Sequence, residues 1–167
     1  MDISTLANVI NAVAVTAGVI FAATQIRDFR GQRRRDSMSA LVRSFQNTAF
    51  ADALRLVSSL PDNATQEQIT ELLGRDGENH VYRLLTTWEA LAILLFRKQV
   101  TIELVDDFFS GPIVVSWRKL SRYVDAKRKE ADRGTYFEWV QWLAERMMDR
   151  ERATPPVPAH IAHRGWT

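Results

Sequence analysis

Three carboxylates lie close together in the segment VTIELVDDFF, with a spacing that could support acid–base chemistry. Glu103 and Asp107 are four residues apart, so they share one face of a helix, and Asp106 lies beside them. Carboxylates held this close can share a proton and act as an acid and a base. The amino end of a helix also favours negative charge, and we therefore interpret the three as a solvated helix face.

Two histidines, His160 and His163, are spaced to lie on one helical turn, where they could hold a metal ion. They lie in the tail ATPPVPAHIAHRGWT, whose three prolines predict an extended backbone, and no acidic or thiol ligand lies near them. The chain has no cysteine, which excludes disulfides and thiolate metal sites. Because the sequence also lacks a glycine-rich phosphate loop and a nucleophilic triad, we predict no metal, no cofactor and no enzymatic activity.

Glu89 follows Trp88 inside TTWEALAILLFRKQ, within the strongest hydrophobic element that follows the arginines. An unpartnered carboxylate there would be costly, so we predict a buried ion pair with Arg118 or Arg122. A functional proton site is the alternative.

The elements that must position these residues are helices, because apolar residues recur at three- and four-residue spacing. An amphipathic helix is expected over Met38–Leu60, followed by a short helix that begins with a capping box of Thr65 and Gln68. Residues 78–98 form the predicted central helix, and its uncharged run at 90–96 is too short to span a membrane. Its core-facing residues are expected to be Val81, Leu84, Leu85, Trp88, Leu91, Ala92 and Leu95.

Two helices are expected after the central one. The first, IELVDDFF, has Thr101 as its cap, and the second begins with Ser110 or Gly111 as its cap and Pro112 at its first position. The expected buried residues of the second helix are Ile113, Trp117, Leu120 and Val124.

The last predicted helix is YFEWVQWLAERMMDRER, which a second capping box of Thr135 and Glu138 would begin. Its expected inward residues are Tyr136, Val140, Leu143 and Met147. Trp139 and Trp142 cannot both point fully inward beside them. We therefore predict that these two tryptophans, together with Trp166 of the tail, form an interface with a partner.

The opening segment Leu6–Gln25 contains twenty residues without a charge. A helix of this length spans roughly 30 Å, the thickness of the hydrocarbon core of a bilayer, so we predict a single transmembrane helix. Small side chains at Ala14, Gly18 and Ala22 would let a second helix approach closely within lipid. Asn11 would need a polar partner there, and we predict that these four residues pack against another membrane helix.

Five arginines follow the apolar segment: Arg27, Arg30, Arg33, Arg34 and Arg35. Positive residues beside a span are retained in the cytoplasm, which predicts an inner-membrane protein with its amino end outside and its carboxyl-terminal domain inside. The same cluster would contact anionic lipid head groups. Nucleic-acid binding through the cluster is a competing, disfavoured interpretation.

Four segments of the second half carry a resemblance to a known family. They are Trp88-Glu89 ahead of the apolar run, VTIELVDDFF, Trp117 in IVVSWRKL, and YFEWVQWLAERM. With them the chain resembles a bacterial family of small membrane-anchored helical proteins of unknown function. The resemblance implies a single hydrophobic span ahead of a helical bundle, and it implies no enzymatic activity. Gln99 stands where that family often has glycine.

The sequence therefore predicts an all-α protein in four parts: a transmembrane helix at 1–26, a basic juxtamembrane segment at 27–36, a compact cytoplasmic bundle at 37–152 and an extended tail at 153–167. Its expected function is assembly, as a homo-oligomer or as an accessory subunit of a larger membrane complex. One alternative is a pore lined through Asn11, Thr16 and Gln25 of oligomerised opening helices. The other is binding of nucleic acid or anionic lipid by the arginine cluster.

Overall fold

The computed structural model of the chain describes residues 2, 15–22, 24–25, 45 and 47–166. The chain divides into two compact units, Met1–Arg43 and Ser44–Thr167. The described residues form helices and turns and no strand, which confirms the predicted all-α class.

In the first unit, residues 15–22 and 24–25 are helical, and every one of them is exposed. The predicted span is described only over this part. No helix in the described part of the chain is long and apolar enough to cross a membrane. Two of the predicted packing residues and the whole basic cluster lie outside the described residues: Asn11, Ala14, Arg27, Arg30, Arg33, Arg34 and Arg35.

Six helices occur in the described part of the second unit. We number them α1 (Thr48–Ser58), α2 (Gln66–Leu73), α3 (Gly77–Phe96), α4 (Ile102–Glu130), α5 (Glu138–Ala153) and α6 (Ala159–Ala162). The side chain of Asn47 caps α1 by accepting the N–H of Phe50 at 2.7 Å. The predicted helix over residues 38–60 is therefore described from its middle onward, with Ala53 and Val57 buried as the pattern requires.

The capping box predicted for α2 is confirmed. The Thr65 hydroxyl accepts the N–H of Gln68, and the Gln68 side chain accepts the N–H of Thr65 at 2.9 Å. Gly77 opens α3 directly against α2, where an added Cβ would lie 2.7 Å from the Cβ of Leu73. Only glycine fits this approach of the two helices.

Helix α3 is the centre of the bundle, since it packs against α1, α2, α4 and α5. All seven residues predicted to face the core are buried, so this prediction is confirmed. Trp88, the largest of them, contacts the rings of Phe45, Phe50 and Phe109. Its Nε1–H donates to the buried hydroxyl of Ser116 at 3.2 Å, so its one polar atom is satisfied inside the core.

The prediction of two helices after α3 is wrong, because α4 is a single helix with Pro112 in its interior. Thr101 does cap it, accepting the N–H of Leu104, but Ser110 and Gly111 are helical residues and not caps.

Burial explains why α4 continues through its proline. Val105 and Phe109 before Pro112 and Ile113 after it are all buried, so one apolar stripe crosses the proline without a break. Burial of such a stripe stabilises a helix by more than the loss of one backbone hydrogen bond destabilises it. Of the four residues predicted to be buried after the proline, Trp117 is only half-buried.

Thr154 has an extended backbone, residues 155–158 have no regular secondary structure, and the short helix α6 follows the last proline. The prediction of an extended tail over 153–167 is therefore wrong at α6, because Pro158 stands before the helix, where a proline is tolerated. His160 and His163 are exposed, and Trp166 is 85% exposed.

Candidate interaction surface

Three aromatic side chains form a continuous apolar area at the outside of the bundle. We call Phe96, Trp139 and Trp142 the aromatic surface. The ring centroid of Phe96, at the end of α3, lies 4.8 Å from that of Trp139 and 6.2 Å from that of Trp142. The two tryptophan rings are 5.9 Å apart and nearly perpendicular. Phe96 is 58% exposed and both tryptophans are half-buried, so the group faces solvent.

Helical spacing explains why both tryptophans lie at the edge of the core. Trp139 and Trp142 are three residues apart on α5 and therefore point to the same side. The inward side of α5 is filled by Val140, Leu143 and Met147, which are all buried. Trp166 belongs to the tail, and within the described residues no ring contact joins it to the aromatic surface.

A carboxylate from α3 holds the start of α5 in place. The predicted capping box of Thr135 and Glu138 is wrong, since α5 is preceded by Phe137 in the left-handed conformation (φ 52°) with no side-chain cap of its own. Instead, Oε2 of Glu89 accepts the backbone N–H of Val140 at 2.9 Å. The predicted ion pair of Glu89 with Arg118 or Arg122 is therefore wrong, because the first turn of α5 provides the hydrogen bond to this carboxylate.

Burial and hydrogen bonding act in opposite directions on Glu89. Burial raises the pKa of this carboxyl above its ordinary value, while the backbone N–H groups of Val140 and Trp139 oppose the shift. Those N–H groups are at the positive end of a helix, where a negative charge is favoured. Glu89 thus serves as a cap supplied by a neighbouring helix.

Arg128 fixes the turn that leads into α5. Its Nε donates to the carbonyl of Tyr136 at 2.9 Å, and its Nη1 donates to Oε1 of Gln141 at 2.7 Å. Its Nη2 reaches the carbonyl of Phe137 at 3.4 Å. Together with Glu89, this guanidinium orients the helix that carries both tryptophans of the aromatic surface.

Sequence reasoning missed Phe96 as a member of this surface. A signal was present, because Tyr82, Glu89 and Phe96 follow one another at seven-residue spacing, which places them on one face of α3. In the structure this face meets the segment that begins α5: Tyr82 lies against Phe137, and Phe96 lies against Trp139.

The acidic cluster of α4 and the two histidines of the tail lie apart from this surface. Asp106 pairs with the guanidinium of Arg150 at 2.9 Å, while Glu103 and Asp107 are exposed. Within the described part of the chain, no three His, Asp or Glu side chains come together in a way that could hold a metal ion.

The fold and the site define a helical-bundle domain with a central buried helix and an exposed aromatic surface at one edge. The chain belongs to the family described as a domain of unknown function, DUF4760, whose profile matches residues 12–147. This confirms the resemblance to an uncharacterised family. Neither a curated protein nor a solved structure matches the chain.

Proposed function

We propose that this protein is a non-enzymatic, single-pass membrane protein whose helical bundle mediates assembly. In this proposal the apolar amino-terminal segment is the anchor, with its amino end outside and the bundle in the cytoplasm. The arginine cluster lies at the inner lipid surface, as the positive-inside rule requires.

The observation that carries the proposal is the exposure of the helical residues 15–22. Val15, Val19, Ile20 and Phe21 lie on this short segment and are 60–67% exposed. Moving one large apolar side chain out of water is worth about 1.5–3 kcal/mol, so a segment with four such residues favours an apolar environment. The uncharged run from Leu6 to Gln25 makes a lipid bilayer the environment that fits best.

An arginine within the anchor tests membrane insertion. We expect wild-type protein to stay with membranes after washing with high salt and with alkaline carbonate, and to be released only by detergent. Val19→Arg places a charge near the middle of the anchor, where it opposes insertion, so a large share of this variant should appear in the soluble fraction.

Leu72→Arg is the matched control, because Leu72 is 59% exposed and Val19 is 64% exposed, but Leu72 lies on α2 of the bundle. This variant should fractionate like wild type. Release of the wild-type chain by salt or carbonate alone would contradict the anchor.

The aromatic surface is the part of the bundle that we propose for self-association. We expect wild-type protein in mild detergent to have a protein mass above that of one chain, measured by light scattering with correction for detergent. Phe96→Ser removes the most exposed ring of the surface and should shift the mass toward the monomer, because exposed aromatic residues anchor interfaces.

Phe108→Ser provides the control for this measurement, since Phe108 is 56% exposed and Phe96 is 58% exposed, but Phe108 lies on α4. It should leave the mass unchanged. A strictly monomeric wild-type chain, or equal effects of the two substitutions, would contradict the role of the aromatic surface.

A further inference from the structure

A cleft of about 450 Å³ lies between the start of α3, the end of α4 and the turn before α5. Its walls combine acidic and aromatic side chains. Two glutamates, three tyrosines and one lysine are among its lining residues: Glu78, Glu130, Tyr82, Tyr123, Tyr136 and Lys127. We call this the tyrosine cleft, and none of these residues belongs to the aromatic surface.

The cleft already holds one ammonium group, that of Lys127. Its Nζ lies 3.0 Å from Oε2 of Glu130 and 3.6 Å from Oε1 of Glu78. The same Nζ lies 5.6 Å from the centre of the Tyr123 ring. Two carboxylates therefore face a single cation, and the buried Oε1 of Glu78 contacts that cation at 3.6 Å, beyond hydrogen-bond distance. The walls carry one negative charge more than Lys127 neutralises.

Three tyrosines line the cleft, and the ring of Tyr123 is the one that faces the ammonium group of Lys127. Burial raises the pKa of Tyr136 to about 12, and its hydrogen bond with Tyr82 adds to the shift. Burial raises the pKa of Tyr123, and the nearby Glu78 carboxylate raises it further. Neutral phenol rings attract cations through their negative faces, and the excess carboxylate supplies the counter-charge.

The geometry points to the tyrosine cleft as a binding site for a small alkylammonium ion, which competes with the side chain of Lys127 for the carboxylates of Glu78 and Glu130. An ammonium group with methyl or methylene substituents satisfies both the acidic and the aromatic walls. This inference does not depend on the membrane anchor or on self-association.

Removal of the resident cation is the sharpest test. Binding of tetramethylammonium to the full-length protein in mild detergent is measured by calorimetric titration. Lys127→Met keeps most of the aliphatic stem and removes the charge. It should strengthen binding by about tenfold or more, because two carboxylates then face the probe without a competitor. Lys127→Arg keeps a cation and should bind no more tightly than wild type.

Lys119→Met is the matched control, since the side chain of Lys119 is 19% exposed against 20% for Lys127, and it also pairs with a carboxylate, that of Asp62. Lys119 lies on the same helix and outside the cleft, so this variant should bind like wild type. Tyr82→Leu removes a partly exposed ring of the cleft and should weaken the binding shown by Lys127→Met when the two changes are combined.

Circular dichroism of every variant establishes that the bundle is folded before titration. Equal affinity of folded Lys127→Met and wild type would overturn the inference, and so would equal strengthening by Lys119→Met. If Lys127→Met does not fold, the Lys127→Gln variant takes its place with the same expected result. Absence of binding to every folded variant also overturns the inference and leaves the assembly proposal untouched.

Discussion

Replacing Trp88 with alanine is expected to lower the free energy of unfolding by about 3–5 kcal/mol, the range for deletion of a large buried aromatic side chain. Trp88 is fully buried at the centre of the bundle, and its ring lies within 5.8 Å of three phenylalanine rings, measured between centroids. The substitution leaves a cavity that α1, α3 and α4 cannot close without moving. Urea unfolding of the full-length protein, followed by far-ultraviolet circular dichroism, measures the loss.

Two further substitutions separate the causes of this effect. Trp88→Phe keeps a ring but loses the Nε1–H bond to Ser116, whose hydroxyl remains satisfied by the carbonyl of Pro112 at 2.6 Å. We expect this variant to lose about 1–2 kcal/mol. Trp166→Ala removes a tryptophan that is 85% exposed, and it should leave stability within about 0.5 kcal/mol of wild type. A loss from Trp88→Ala no larger than that from Trp166→Ala would contradict the central position of Trp88.

Replacing Glu89 with leucine is expected to lower the free energy of unfolding by about 2–4 kcal/mol at neutral pH. The reason is that the backbone N–H groups that donate hydrogen bonds to Glu89 are left without an acceptor. These are the backbone N–H groups of Val140 and Trp139. Glu89→Gln keeps an acceptor oxygen in the same place and should stay within about 1 kcal/mol of wild type. Near-ultraviolet circular dichroism should change with leucine and not with glutamine, because it reports the packing of Trp139 and Trp142.

The pH dependence of stability, compared between wild type and Glu89→Gln, gives an independent check. Burial raises the pKa of Glu89 in the folded state above its unfolded value of about 4.3. The protonated carboxyl is thus favoured by folding, and this contribution is complete below the unfolded pKa and lost as the pH rises through the folded pKa. Relative to Glu89→Gln, wild type should therefore lose stability as the pH rises from about 4 toward neutrality. Two outcomes would show that the charge of Glu89, and not its acceptor atom, holds α5. One is a gain in the stability of wild type relative to Glu89→Gln as the pH rises over this range. The other is an equal loss of stability in Glu89→Leu and Glu89→Gln.

Much of the bundle could be predicted from the sequence because its signals are local. The three- and four-residue spacing of apolar positions identified α3 and all seven of its core-facing residues, and burial of that stripe is what stabilises the helix. The Thr65 and Gln68 capping box was predictable for the same reason, since both partners lie within one turn. The aromatic surface was predicted only in part, because the pattern of α5 identified its two tryptophans but not Phe96.

Predictions failed where one local signal had to be weighed against distant packing. Pro112 and the residues before it favoured a helix start, but the buried stripe from Val105 to Ile113 carried α4 through the proline. Thr135 and Glu138 had the spacing of a capping box, but Glu89 from another helix supplies the cap of α5.

The sequence by itself determined the helical class, the central position of α3 and the half-buried character of the α5 tryptophans, because each depends on periodicity within one element. Tertiary structure decided the rest: the partner of Glu89, which is 51 residues away, the meeting of Phe96 with both tryptophans, and the gathering of three tyrosines around Lys127. Helix periodicity fixes which side chains share a face. Only the packing of whole helices fixes which faces meet, since that depends on the summed burial and hydrogen bonding of every helix in the bundle.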